Sequence, residues 1–494
     1  MTHTHTHTNQ WYKLLPFIIF IGISCYQHSK HFSTDIQGNH SWRQSQTMWN
    51  IRNFTRHDAN ILNPRINKFN GGKDNILRYE FPIMQWCISK VQLACGEDIK
   101  YVRVSLFLIG LFGVTGFFFL MLHIIDDWLV AGIAASLLQF SPVFYYYTIN
   151  PIPDNLALAC SIWYLVFILK YFKNSKFGTL FVASLFLLLA TLAKLPFLMF
   201  SIVSITHFCV RICSKKKITS NLLAFAGLQL LLISPAIVWY IWVIPTWTGN
   251  PILNAGLEGF DVKEYFKILY DYHMKVMFPH VLLSWPVWIL FILGVVQLFK
   301  TRFESFWIFA LMFMTILFWL IELKPIGVVH DYYMMPFLPW LYIVVGLGTY
   351  FFYKLHQALI IVPFILCFLC SHYTMKKIDP QWDYENSAFN HDLFKYSEEL
   401  KNIVPNNDQC IILNDYTGYV FSYRIDKMGH IFANDKLPIN WIDDIIVNYG
   451  IKYMYSDSEA INSNPEFNRY IEDILLVKGS ISVFKLKAPK NDIN

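Results

Sequence analysis

Long apolar runs alternate with short polar stretches over the first three quarters of the chain. They fall at roughly 12 to 28, 101 to 123, 128 to 147, 156 to 173, 177 to 193, 195 to 213, 221 to 246, 281 to 299, 305 to 322, 333 to 353 and 356 to 373. These are about eleven windows, each near the ~20 residues that a helix needs to cross a bilayer at ~1.5 Å per residue. After residue 373 the pattern changes. In the tail, "QCIILND", "IKYMYSD" and "SISVFKLK" carry the short apolar runs of buried strands, while "YVFSYRIDKMGHIF" and "WIDDIIVNYG", the latter closed by a glycine, predict helices between them. The pattern therefore predicts an α-helical polytopic membrane domain over residues 1–373 and a small α/β domain over 374–494.

Composition agrees with the membrane reading. The 494 residues are 55% apolar, 18% aromatic and 15% charged, against about 25% charged in soluble proteins. Lysine and arginine then suggest the orientation. Lys173 and Lys176, the run from Arg211 to Lys217, Lys300 with Arg302, and Lys354 fall in alternate short loops, which the positive-inside rule assigns to the cytoplasm. The amino terminus is then inside. The loop 29–100, the "NPIPDN" turn, Lys194, the segment 248–280, the "LKPIGVVHD" loop and the C-terminal domain face outward. The first apolar run is expected to stay as an anchor, because no small-residue cleavage pattern follows it. The "THTHTHT" repeat before it has no fixed geometry and receives no role. Most of the nine cysteines lie in apolar windows, which does not suit a disulfide framework.

The outer loop 29–100 is too long for a simple connector. Ser41 and Gln44 in "SWRQ" form a capping-box pattern that predicts a helix to about His57, lying on the membrane surface. Pro82 in "RYEFPIMQWCISKV" predicts a second helix, with Glu80 just before it. Charged residues gather at the outer loop ends: Asp35, His40 and Arg43 near the first helix, then Glu80, then Asp154 at the start of a span, Lys194 between two runs, and His330 with Asp331 before Tyr332 and Tyr333. Each has an ordinary explanation. Asp154 suits an N-cap, Lys194 could snorkel to the interface, and the two tyrosines suit an interfacial belt. Together, Asp, Glu, His, Arg and Lys on one membrane face are what a site needs when one reactant is anchored in lipid.

In order along the chain, "HSWRQSQTMWNIRNF", "YEFPIMQW", "PIPDNLALA", "AKLPFL" and "HDYYMMPFLPW" resemble the motifs of polytopic glycosyltransferases of the C-type fold, related to protein O-mannosyltransferases and to the lipid A aminoarabinose transferase. The resemblance covers most of residues 12–350. It implies transfer of a sugar from a polyprenyl phosphate to an acceptor hydroxyl of lipid A, a glycan or a protein, on the outer face, with inversion. Such transfer needs a base for the acceptor proton and cations for the departing phosphate. It implies catalytic roles for His40, Asp35, Glu80 and Asp154, and substrate binding by Arg43, Lys194, His330, Asp331 and Tyr333. This sequence departs from the family pattern at His40, which stands where relatives usually carry the first-loop Asp. Histidine titrates near neutral pH and can itself take a proton, so His40 and Asp35 both remain base candidates.

No metal-ligand cluster is evident, and the resemblance neither requires a divalent cation nor excludes one. The tail lacks a Gly-rich phosphate loop, and no nucleic acid partner is expected. The expected location is a bacterial plasma membrane, among membrane lipids. A polysaccharide polymerase or ligase, or a flippase for lipid-linked glycans, is the alternative. A flippase would place charges along its interior rather than at outer loop ends.

Overall fold

The computed structural model describes residues 11–69, 72, 74–215, 219–247, 261–300, 306–322, 330–433 and 436–488. The histidine repeat, Lys216, Lys217, Arg302, the whole "LKPIGVV" stretch and residues 248–260 lie outside the described residues. The chain divides into two compact units. The first takes in the chain up to Thr34, Tyr79–Met84 and Cys95–Asp379; the second takes in Asp35–Arg78, Gln85–Ala94 and the chain from Pro380 onward. The second unit thus includes part of the long loop as well as the tail.

The first unit is helical. Among the described residues six helical segments are long and apolar enough to cross a membrane: Ile99–Ile125, Asp154–Asn174, Leu195–Ser214, Ser220–Thr246, Asp331–Leu355 and Gln357–Trp382. A seventh forms if Val262–Leu282 and Trp285–Lys300, bent by 89° at their junction, count as one. The apolar windows had suggested about eleven. The remaining windows correspond to shorter helices, such as Trp128–Gln139, Phe177–Ala193 and Phe306–Ile321. The 128–147 window is broken where Ser141 and Pro142 start a separate helix, Pro142–Tyr147. Mean hydropathy registers such a stretch as one run, although proline lacks the N–H that would continue the helix.

Two features hold this unit together. Glycines let two helices touch through their backbones: a Cβ at Gly294 would lie 1.8 Å from the Val344 carbonyl oxygen, and one at Gly348 would lie 1.9 Å from that of Leu290. The second is Arg103, fully buried in the second turn of Ile99–Ile125. Its guanidinium donates to the Thr34 carbonyl at 2.8 Å, the Ile149 carbonyl at 3.1 Å and Asn150 Oδ1 at 2.8 Å, as a buried charge requires.

The second unit contains a five-stranded sheet of order β2-β1-β3-β5-β4. Its strands are β1 (Cys410–Leu413), β2 (Gly429–Phe432), β3 (Tyr453–Ser456), β4 (Ile471–Lys478) and β5 (Ile481–Leu486). β1 runs parallel to β2 and β3, and β5 runs antiparallel to β3 and β4. Alternation sends Ile411 and Leu413 into one core, with Ile442 and Ile445 of the helix Ile439–Tyr449, and Cys410 and Ile412 into another, with Val420 and Phe421.

The helix read over "YVFSYRIDKMGHIF" stops early. It spans only Val420–Ile425, because Asp426 takes a left-handed conformation at φ 51° and Gly429 follows at φ 154°, so "GHIF" becomes β2. Helix Ser41–Arg56 also differs from expectation. It is buried on most sides rather than lying loosely on a surface. Its N-cap is His40, not Ser41, and the Gln44 amide donates back to the Asn39 carbonyl at 2.7 Å.

Candidate functional site

Lys194 organises the first unit's polar cluster. It ends the helix Phe177–Ala193 in an extended conformation, and the next turn starts at Leu195 with Pro196 as its second residue. Its ammonium lies 2.7 Å from Glu80 Oε1 and 3.7 Å from Asp154 Oδ2. The Tyr333 and Tyr332 ring centroids are 4.9 Å and 5.7 Å away, within cation–π range. Lys194 does not snorkel; it is 6% exposed and Asp154 is 1% exposed. Nor does Asp154 cap its helix. Pro153 occupies the cap position and Asp154 is the first helical residue, its Oδ2 facing the lysine ammonium.

Backbone contacts fix Glu80. The Phe81 N–H donates to the Leu192 carbonyl at 3.0 Å, and the Trp239 indole N–H donates to the Tyr79 carbonyl at 3.1 Å. Trp239 also meets Phe81 edge to face, at 5.0 Å between centroids.

The cluster continues through tyrosines. Tyr332 packs edge-on against Tyr147 at 5.7 Å, and the Tyr147 hydroxyl donates to Asp331 Oδ1 at 2.6 Å. His330 Nδ1 lies 3.2 Å from the Tyr332 hydroxyl, and its ring is 5.0 Å from that of Tyr333. Glu80, Asp154, Lys194, His330, Asp331 and Tyr333, from four separate stretches of sequence, are therefore gathered within one unit. Tyr147 was missed. Its only signal was the "YYY" run ahead of "NPIPDN". Tyr332 is 1% exposed, so it is a packed member of the cluster rather than a belt aromatic.

Asp35, His40 and Arg43 belong to the second unit. Both Asp35 oxygens are engaged: Oδ1 accepts from the Tyr423 hydroxyl at 2.6 Å and from the Ile36 N–H at 2.7 Å, and Oδ2 lies 3.2 Å from Arg424. Burial acts to raise the Asp35 pKa, but the Arg424 guanidinium and the Tyr423 hydroxyl outweigh it and hold the carboxyl below the usual range. Arg43 is buried and donates to Gln46, whose amide donates to the Tyr419 hydroxyl at 3.0 Å. His40 sits at φ 52°, a left-handed conformation that strains a non-glycine residue. Its carbonyl accepts the Arg43 and Gln44 N–H groups at 2.9 Å and 3.1 Å.

Helix Ser41–Arg56 is also held by Asp426, whose Oδ1 takes Arg52 at 3.0 Å and Arg56 at 2.9 Å. Burial alone would raise the Asp426 pKa, yet the two arginines bring it down to about 2. A depressed carboxylate adds stability above its unfolded value of about 3.9 and loses it as pH falls through the folded value. Asp426→Asn keeps the left-handed backbone accessible and removes only the charge. It is expected to cost roughly 2 kcal/mol at pH 7. Thermal melts of the two proteins between pH 7 and pH 3 should show that gap about halving at the acid end; a gap independent of pH would mean that the ion pairs do not set it.

Among the described residues no three His, Cys, Asp or Glu side chains are grouped to hold a metal ion.

The chain shares its fold with solved structures of the C-type fold of polytopic membrane glycosyltransferases. ArnT from Cupriavidus metallidurans in the apo state superposes with a TM-score of 0.67 at 10% identity, covering 95% of this chain and 98% of that one. The same protein bound to undecaprenyl phosphate gives 0.62 at 11% identity, over 94% and 97%. The oligosaccharyltransferase of Archaeoglobus fulgidus, in complex with Zn and sulfate, gives 0.57 at 12% identity, over 97% and 74%. No family model matches the chain, and no curated protein matches its sequence.

Proposed function

We propose that this chain is a membrane glycosyltransferase that moves a hexosyl, pentosyl or amino sugar from a polyprenyl-phosphate donor to an acceptor hydroxyl, with inversion. The observation that carries the reading is the Lys194 cluster in a fold shared with ArnT, a protein solved with undecaprenyl phosphate bound. In the reaction the acceptor oxygen bonds to the anomeric carbon, the bond from that carbon to the phosphate oxygen breaks, and its electron pair leaves with the polyprenyl phosphate. The acceptor proton goes to a base.

Lys194 is assigned to the donor phosphate. An ammonium has three N–H donors, so it can share its bonds between Glu80, Asp154 and a phosphate oxygen. Low exposure makes that charge worth more than it would be in bulk water. Tyr333 and the Asp331–Tyr147 pair are assigned to the sugar, and His330 to the acceptor side. Within the second unit, Asp35 is committed to Tyr423 and Arg424, which disfavours it as a base, so His40 takes that role. Arg43 is assigned to positioning through Gln46. A divalent cation is compatible with Glu80 and Asp154 only if Lys194 gives up its contacts.

The proposed location is a bacterial inner membrane, with about eleven crossings, a cytoplasmic amino terminus and an extracytoplasmic C-terminal domain. Mass spectrometry of envelope glycolipids and glycoproteins tests the activity. Cells lacking the chain are expected to lose one sugar mass from one acceptor, and vesicles carrying the chain should release one polyprenyl phosphate per sugar transferred. Movement of an intact lipid-linked sugar across the vesicle membrane, without release of the phosphate, would instead identify a flippase.

A further inference from the structure

In the second unit, a cavity of about 430 Å³ opens between the edge strand β2 and the helix Ile439–Tyr449. Its lining follows from two periodicities. On β2, residues two apart share a face, so His430 and Phe432 stand beside Ile411 and Leu413, their partners in register. On the helix, Trp441, Asp444 and Tyr449 recur at intervals that keep them along one side. Ile442 and Ile445 of the same helix bury into the core, so the cavity lies at the core's rim.

A rim alone does not account for these residues. Trp441 is 53% exposed, although it stands beside the core. His430 is only 4% exposed, and its ring closes the inner wall of the cavity. The His430 ring meets Tyr449 edge-on, with centroids 4.7 Å apart, and Phe432 meets Trp441 at 6.3 Å. Asp444 accepts from the Asn448 amide at 2.5 Å. Aromatic faces and the Asp444 carboxylate therefore border one small cavity.

We propose that this cavity is a carbohydrate subsite, which takes one pyranose unit of the acceptor with its C–H face on Trp441 and a hydroxyl donating to Asp444. A pyranose has an apolar C–H face and a rim of hydroxyls that both donate and accept, which matches this lining. Only the word acceptor rests on the glycosyltransferase reading; sugar binding here does not.

The test is saturation-transfer NMR on the purified full chain in nanodiscs, without donor, using methyl α-D-mannopyranoside, methyl β-D-galactopyranoside and N-acetyl-D-glucosamine as probes. Ring C–H protons of at least one sugar are expected to saturate. Trp441→Ala and Asp444→Ala should weaken binding roughly three- to tenfold. Trp285→Ala, an exposed tryptophan in the other unit, should leave it unchanged. Trp441 is exposed enough to be removed without opening the core, and a melt of each variant verifies the fold. Absence of saturation for all three sugars, a signal that survives Trp441→Ala, or saturation of a glycine–serine–asparagine peptide in place of the sugars would overturn the proposal. Because no donor is present, these outcomes are independent of whether the chain transfers sugar.

Discussion

Replacing Lys194 with methionine is expected to raise the donor concentration needed for half-maximal transfer and to slow turnover by roughly 10²-fold, the cost of losing one group that meets developing negative charge. The phosphate gains charge as the sugar departs, so the lysine acts more strongly in the transition state than in the ground state. The same substitution also leaves Glu80 and Asp154 facing each other without their cation, and breaking a buried pair of this kind destabilises by about 3–5 kcal/mol. Two further variants separate these effects. Lys194→Arg should recover part of the rate. The double variant Lys194→Met with Glu80→Gln should recover part of the stability but not donor use. Initial rates across donor and acceptor concentrations, with a melt for each protein, provide the readout. If only the acceptor dependence moved, Lys194 would belong to acceptor recognition.

Removing the base should have an effect at least as large. His40→Ala is expected to lower turnover about 10²-fold or more, with donor affinity and melting temperature near those of the parent chain. Asp35→Asn should behave differently, because its carboxylate ties the segment before helix Ser41–Arg56 to Tyr423 and Arg424. Its loss is expected in the melt, and turnover per folded molecule should change little. Near-normal transfer by both variants would move the proton to Glu80 or Asp154. Turnover lost in Asp35→Asn at unchanged stability would reverse the assignment.

The sequence made the class of fold legible, because apolar windows and a polar tail of short runs are one-dimensional signals. It also named the charged residues at the loop ends. Their partners were not legible. Nothing near Lys194 in the sequence points to Glu80, 114 residues earlier, and nothing near Asp35 points to Arg424, 389 residues later. Local rules instead supplied an N-cap for Asp154, a snorkel for Lys194 and a belt for Tyr332, each adequate for a residue considered alone. The breaks inside apolar runs were hidden for a related reason. Hydropathy averaged over a window does not register that Pro142 begins a new helix. In the tail, the helix over "YVFSYRIDKMGHIF" was carried too far because Asp426 can adopt the left-handed turn usually signalled by glycine.

Arg103 bears on how the chain is made. Its helix enters the lipid with a guanidinium near one end, and two of that group's acceptors, Ile149 and Asn150, are still unsynthesised when it does so. At roughly 5–20 residues per second, the ribosome supplies them some seconds later. Until then the arginine must stay at the headgroup level, holding that end of the helix shallow. Final seating of this span is therefore a late step in biogenesis, timed by translation of the "INPIPDN" turn. A ribosome that stalled between the two would leave a nascent chain with its second hydrophobic segment incompletely lodged.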